Sequence, residues 1–220
     1  MNFLLEDALT RIQSILGEHL DDITIERCVL GLFFTGVKLS TGHGGICFTP
    51  IKDMPEAVCC PSSAAAMPLS GRLRNRAARA ALKDVSHQNS LRKAIAIATM
   101  NALSEYIREL QPERRKRIEY GVDAFDVLTL ANYKKTVVVG ALVPLLKRLI
   151  NEERSFHVLE QDVRTLKGKE LEHYVPASEF LRVVPAADLL VITGVTMLND
   201  TLPELLDQAK SGAEVLVTGP

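Results

Sequence analysis

The stretch Thr136-Val137-Val138-Val139-Gly140 constrains the fold more than any other part of the chain. Three consecutive valines suit a strand only when both of its faces are buried, and strands of that kind belong to parallel sheets covered by helices. The pattern recurs at residues 156–160, 188–194 and 214–219, and each interval is long enough for a crossover helix. Three of the four runs close on glycine. Open α/β sheets bind ligands beyond the carboxyl ends of their strands, where a glycine lets a ligand approach the backbone. The pattern therefore locates a site better than it identifies what binds there.

Composition narrows the classes of partner. The chain has 26 basic and 27 acidic residues among 220, a net charge of −1, so no global field points to nucleic acid or an acidic membrane. The N-terminal Met1-Asn2-Phe3-Leu4-Leu5-Glu6-Asp7 lacks the basic region of a secretory signal. No apolar run reaches the roughly 18–20 residues that span a bilayer. The expected location is cytoplasmic, with Cys28, Cys47, Cys59 and Cys60 as reduced thiols and the Asn199-Asp200-Thr201 sequon a chance match.

Residues 3–20 place Leu5, Leu9, Ile12, Leu16 and Leu20 on one helical face, ended by Asp21-Asp22. Extended runs follow at 23–35, 36–40 and 46–49, with Thr41-Gly42-His43-Gly44-Gly45 as a hairpin turn or open loop. The first third thus reads as a helix plus an antiparallel meander. Residues 50–71, with four prolines, read as loop with one short helix. Between 72 and 93 stand seven basic residues against Asp84 alone, read as a solvated helix face because no aromatics are interleaved for base stacking. The same reading covers Arg114-Arg115-Lys116-Arg117. The helix at 91–110 is apolar or small on nearly every side, which predicts burial and puts Asn101 in a desolvated place. That amide either meets neighbouring backbone or points into a cleft. Helices are expected at 143–153 with Pro144 in the first turn, at 178–183 with Ser178 as N-cap, and at 201–210 with Pro203 in the first turn.

Few residues have the spacing of known chemistry. Gly140-Ala141-Leu142-Val143-Pro144 stands where a dinucleotide fold carries G-x-G-x-x-G but lacks the later glycines, and Leu142 would obstruct a pyrophosphate. Glu160, twenty residues on, occupies the position of a ribose-binding acid. The stretch 193–201 sets hydroxyls, Gly194 and Asn199 between a strand end and a helix start. It suits either an anion or ordinary turn and cap bonds. His43 with Cys47, Cys59 with Cys60, and His157 with Glu160 lack the spacing of a closed zinc site. Serine-hydrolase and zinc-peptidase motifs are absent.

Several motifs together resemble a known family. They are Thr35-Gly36-Val37-Lys38-Leu39-Ser40 with Gly44-Gly45, Ala98-Thr99-Met100-Asn101-Ala102-Leu103, Val137-Val138-Val139-Gly140 with Pro144, Ala187–Gly194 with Asn199 and Thr201, and Thr218-Gly219-Pro220. In this order they look like the DUF364 family, labelled a heavy-metal chelation domain, over nearly the whole chain. The resemblance implies an α/β protein in which an α+β enolase N-terminal-like domain, 1–120, precedes a Rossmann-like parallel α/β domain, 121–220. It also implies a pocket where the two meet, and a C-terminal segment beyond Pro220 that this chain lacks. By position the ligand-binding candidates are Thr35, Gly36, Ser40, Asn101, Gly140, Glu160, Thr193, Gly194, Asn199 and Thr201. The implied function is binding or handling of a divalent or heavy metal ion, or of a small metal-loaded chelate. The alternative is an enzyme with a nucleotide-like cofactor or substrate at the Rossmann-like strand ends. Neither reading involves nucleic acid or membrane, and self-association into a homo-oligomer stays open.

Overall fold

The computed structural model describes residues 2–51, 71–113 and 118–219. Contacts divide the chain into two compact units, one reaching to Ile118 and one running from Glu119 to Gly219. Among the described residues the strands form two separate sheets, one of three antiparallel strands and one of five parallel strands.

In the first unit α1 spans Phe3–Leu16, with Asn2 as N-cap accepting the Leu4 N–H at 3.2 Å. It buries Leu5, Ile12 and Leu16. The single helix expected over 3–20 ends sooner, at Gly17, and α2, His19–Asp22, buries Leu20 separately. The extended run expected over 23–35 is likewise divided. β1, Ile25–Leu30, turns at Gly31, whose N–H meets the Phe34 carbonyl at 3.0 Å, into β2, Phe34–Leu39. β3 is Gly44–Phe48, so Gly44 and Gly45 lie in the strand and not in the turn. Helix α3, Ala78–Leu82, and a 3-10 turn at Lys83–Ser86 lead to α4, Ser90–Leu110, whose first turn is capped by Asn89. α4 packs across β2 and β3. Thr35, Val37 and Leu39 of β2 and Cys47 of β3 are buried on that side.

Two expectations are corrected in this unit. The basic run at 72–93 is not simply a solvated face, because Lys93 is buried and Arg76 and Arg92 converge on buried Asp84. The expected burial of this helix on nearly every side holds from Lys93 to Met100, but Asn101 itself is exposed and not desolvated. The expected loop at 50–71 falls almost wholly outside the described residues, as do Cys59, Cys60 and the Arg114–Arg117 run.

The second unit contains β4, Thr136–Val139; α5, Val143–Asn151; β5, Phe156–Glu160; β6, Tyr174–Pro176; β7, Leu189–Thr193; α6, Val195–Leu198; α7, Leu202–Asp207; and β8, Glu214–Thr218. The strand order is β6-β5-β4-β7-β8. All four expected strands share this sheet. The fifth, β6, has only three residues, too few for a periodic signal. Every residue of β4 is buried, and Val138, Val158 and Val191 pack with Leu145, Leu146 and Leu149 of α5 in one core. The helix expected at 178–183 is a 3-10 turn, Ala177–Arg182, in which Ser178 is not the cap. Among the described residues no helix is long and apolar enough to cross a membrane.

Candidate functional site

The chain order reverses beside β4, which has β5 on one side and β7 on the other. At that point Gly140 leaves β4 with φ +93°, a left-handed conformation that side chains resist. A Cβ there would stand 2.8 Å from Cγ2 of Thr193, so the ends of β4 and β7 touch and only glycine fits between them. Glu160, closing β5, braces the same corner. Its Oε2 accepts the Ala141 N–H at 3.0 Å, and its Oε1 accepts the N–H groups of Gln161 and Asp162 at 2.8 and 3.1 Å. Leu142 and Val143 donate to the carbonyls of Gly140 and Ala141, and Pro144 has no N–H. The loop that would cradle a phosphate therefore spends its donors on the protein itself.

On the other side of the switch, Thr193 and Thr218 are paired residues at the ends of β7 and β8. The Gly194 N–H donates to the Thr218 carbonyl at 2.6 Å, and a Cβ on Gly219 would lie 3.6 Å from the Gly194 nitrogen. The two strands thus end in twin Thr-Gly steps. Thr218 was not among the residues singled out for the site, although the repeat of Thr-Gly at 193–194 and 218–219 was its signal. The Thr193 carbonyl accepts the Thr196 hydroxyl at 2.7 Å. Asn199, exposed, accepts both the N–H and the hydroxyl of Thr201 through Oδ1, at 3.2 and 2.7 Å. Thr201 therefore turns its hydroxyl back on Asn199 and does not cap α7 with it.

Gly140, Glu160, Thr193, Gly194, Asn199 and Thr201 all lie at or just beyond the carboxyl ends of this one sheet. The other four candidates belong to the first unit. Thr35 is fully buried and its hydroxyl meets that of Thr49 at 2.9 Å, an internal bond between β2 and the residue after β3. Gly36 opens on the opposite side, where an added Cβ would meet nothing within 4 Å. Ser40 accepts the Thr24 N–H at 3.0 Å. Asn101 donates to the Ile46 carbonyl at 2.8 Å, fastening α4 to β3.

Among the described residues, groups suited to direct metal coordination are dispersed. Among the described residues no set of three or more His, Cys, Asp or Glu could hold a metal ion. The ring of His43 is engaged by Thr41 at 3.1 Å and Glu109 at 2.8 Å, while Cys47 lies buried opposite Thr35. His157 and Glu160 are three apart on one strand and so point to opposite faces. Burial pushes the Cys47 thiol up to about 12 and that of Cys28 to about 11. With a pKa near 12 about one Cys47 in 10,000 is thiolate at pH 8. Iodoacetamide at that pH is expected to leave Cys47 unmodified in the native protein and to label it in denaturant, as peptide mass spectrometry would read.

Comparison with known proteins gives concordant matches. One family profile described as "Putative heavy-metal chelation", DUF4213, matches residues 13–104, and a second with the same description, DUF364, matches residues 123–220. An uncharacterised protein of Methanocaldococcus jannaschii is 29% identical over 129 residues, which are 58% of this chain and 46% of that relative. The match thus spans about half of the curated relative's length. A solved DUF364-family protein of unknown function from Pyrococcus horikoshii has a TM-score of 0.73 at 17% identity, covering 99% of this chain and 79% of that one. Another, from Desulfitobacterium hafniense, has a TM-score of 0.67 at 19% identity, covering 98% and 78%. At these identities the two structures bear on the fold alone.

Proposed function

We propose, because residues 13–104 match the DUF4213 profile and residues 123–220 the DUF364 profile, both described as "Putative heavy-metal chelation", that the parallel-sheet unit binds a small organic chelate carrying a metal ion, at the carboxyl ends of β4, β7 and β8. The observation that carries this reading is the row of strand ends in which Thr193 abuts Gly140 and Gly219, after Thr218, abuts Gly194, in a region whose polar groups apart from the engaged Glu160 are hydroxyls, amides and backbone. Such groups suit the oxygen-rich periphery of a chelate, whereas a bare soft cation needs thiolate or imidazole ligands. The metal is cargo in this reading, and the protein recognises the molecule around it. Glu160 holds the β4 loop in position through Ala141 and is not itself a ligand to the metal.

A thermal-shift panel tests the proposal, with divalent metal salts, metal-loaded chelates, metal-free chelates, nucleotides and S-adenosylmethionine as separate arms. A ligand at 100 times its Kd stabilises the fold that binds it by about 2.7 kcal/mol. Metal-loaded chelates are expected to give that stabilisation. Asn199→Ala and Thr193→Val should each weaken binding about three- to tenfold, the loss of one neutral hydrogen bond. Stabilisation by nucleotides alone would replace this reading with that of a nucleotide-using enzyme. A response to free metal salts equal to that of the chelates would place the metal in direct contact with the protein.

A further inference from the structure

Thr193 ends the inner strand β7, and Asn199 follows it after the single helical turn α6. Both side chains spend acceptor capacity on the protein itself. Oδ1 of Asn199 takes two hydrogens from Thr201, the N–H at 3.2 Å and the hydroxyl at 2.7 Å. That pair fixes the orientation of the amide, so Nδ2 is the group that exposed Asn199 turns outward, able to donate and unable to accept. Oγ1 of Thr193 accepts the Val195 N–H at 3.4 Å, and its own hydrogen is left for donation. Neither donor meets an acceptor among the described residues. Charge is distributed to match. Residues 136–146 and 189–209, which form β4, β7 and the segments after them, contain no lysine, arginine or histidine. Beyond β5 the first cation in sequence, Arg164, is gripped by both oxygens of Asp162 at 2.8 and 2.9 Å. The carboxylate of Glu160 is engaged by backbone N–H groups. These strand ends therefore offer hydrogen-bond donors without a free positive charge.

We propose, resting on the chelate reading above, that the ligand is a polycarboxylate whose charge its metal has cancelled, and that Asn199 Nδ2 and the Thr193 hydroxyl read its outward carboxylate oxygens. A carboxylate bound to a metal through one oxygen keeps the other turned away from the metal, and that oxygen can only accept. Hydroxamate and catecholate chelates place their oxygens on the metal and present carbon outward, which leaves both donors unmet. A metal-free polycarboxylate carries its whole negative charge into a site with no counter-charge, and losing water there is costly. The loaded chelate, close to neutral, avoids that cost. Discrimination between the loaded and the empty chelator then requires no contact between protein and metal.

Isothermal titration calorimetry on the full chain tests this with three probes: ferric nitrilotriacetate, metal-free nitrilotriacetate and ferric tris(acetohydroxamate). Both ferric complexes are neutral, and only the first carries carboxylates. Ferric nitrilotriacetate should bind about tenfold or more tightly than either of the others. Asn199→Asp keeps an oxygen for Thr201 and sets a carboxylate oxygen where the amide donated, so it should weaken binding of ferric nitrilotriacetate by more than about tenfold, beyond the loss in Asn199→Ala, with the melting temperature unchanged. A purely structural Asn199 would give the reverse order, because aspartate preserves the bonds to Thr201 and alanine does not. Metal-free nitrilotriacetate binding as tightly as the ferric complex would overturn the charge argument. Equal binding of the hydroxamate complex, or wild-type affinity in Asn199→Asp, would overturn the carboxylate assignment and leave the chelate reading standing. Absence of binding by every loaded chelate would remove that reading and this proposal together.

Discussion

Gly45→Ala is expected to destabilise the first unit by about 3 kcal/mol or more, near the upper end of what overpacking costs. A Cβ on Gly45 would lie 2.2 Å from the Ala98 carbonyl oxygen, 2.3 Å from the Ala102 nitrogen and 2.9 Å from the Asn101 carbonyl carbon. All three are backbone atoms of α4, so no side chain can swing aside. The helix must move away from β3, and Ala98 and Ala102, both fully buried, lose their packing with it. The Asn101 amide would also be drawn from the Ile46 carbonyl that it now meets at 2.8 Å. The neighbouring glycines supply the control. An added Cβ on Gly44 meets nothing nearer than 3.8 Å and one on Gly36 nothing within 4 Å. Gly36→Ala should therefore leave stability unchanged or raise it by up to about 1 kcal/mol, through reduced freedom of the unfolded chain. Urea unfolding of Gly45→Ala, Gly44→Ala and Gly36→Ala, followed by circular dichroism, gives the order. Equal midpoints for Gly45→Ala and Gly36→Ala would show that α4 does not ride on β3 at this point.

The same glycine shows where sequence reading stopped. Thr136 to Gly140 announced a buried parallel strand because three β-branched residues in a row have one good solution, and the matching runs at 156, 188 and 214 located its neighbours. Gly44-Gly45 announced a turn because glycine is usually read for its conformational freedom, yet here Gly45 is needed for its missing side chain. The signal for that lay 53 residues away, in Ala98 and Ala102, whose spacing of four puts two small residues on one face of α4. Asn101 was expected to be desolvated because its neighbours are apolar, and α4 is buried on every side from Lys93 to Met100, yet Asn101 stands just past that stretch and is exposed. At the strand ends, the position of Glu160 was legible and its bonds were not. A spacing of twenty from Gly140 matches a ribose-binding acid, whereas three backbone N–H groups claim the carboxylate once the chain is folded. Thr218 stood in a quoted motif and in the repeated Thr-Gly strand ending, but its alignment with Thr193 depends on the β7–β8 register.

Removing the carboxylate of Asp84 is the other substitution expected to have a large effect, and it concerns the stretch read as a solvated basic face. Asp84 is 5% exposed and bridges two guanidinium groups, with Oδ2 3.1 Å from Nη2 of Arg76 and Oδ1 2.7 Å from Nη2 of Arg92. The same Arg76 nitrogen donates to the Ala80 carbonyl at 2.8 Å, so the cluster ties α3 and its following turn to the start of α4. Taking one partner from a buried ion pair leaves the other charge without compensation and costs about 3–5 kcal/mol. Arg92 retains access to solvent, with its side chain 34% exposed, which lowers the expected figure for Asp84→Ala to about 3 kcal/mol. Arg76→Ala should cost less than Asp84→Ala, because Arg92 still neutralises the carboxylate, and Arg92→Ala should cost less again. Asp21→Asn provides the contrast: its pair with Arg79 is exposed on both sides, and its loss should cost about 0.5 kcal/mol. Denaturant unfolding of these four variants reads the ranking. If Asp84→Ala falls within error of Asp21→Asn, water reaches the cluster and the two arginines need no buried counter-charge.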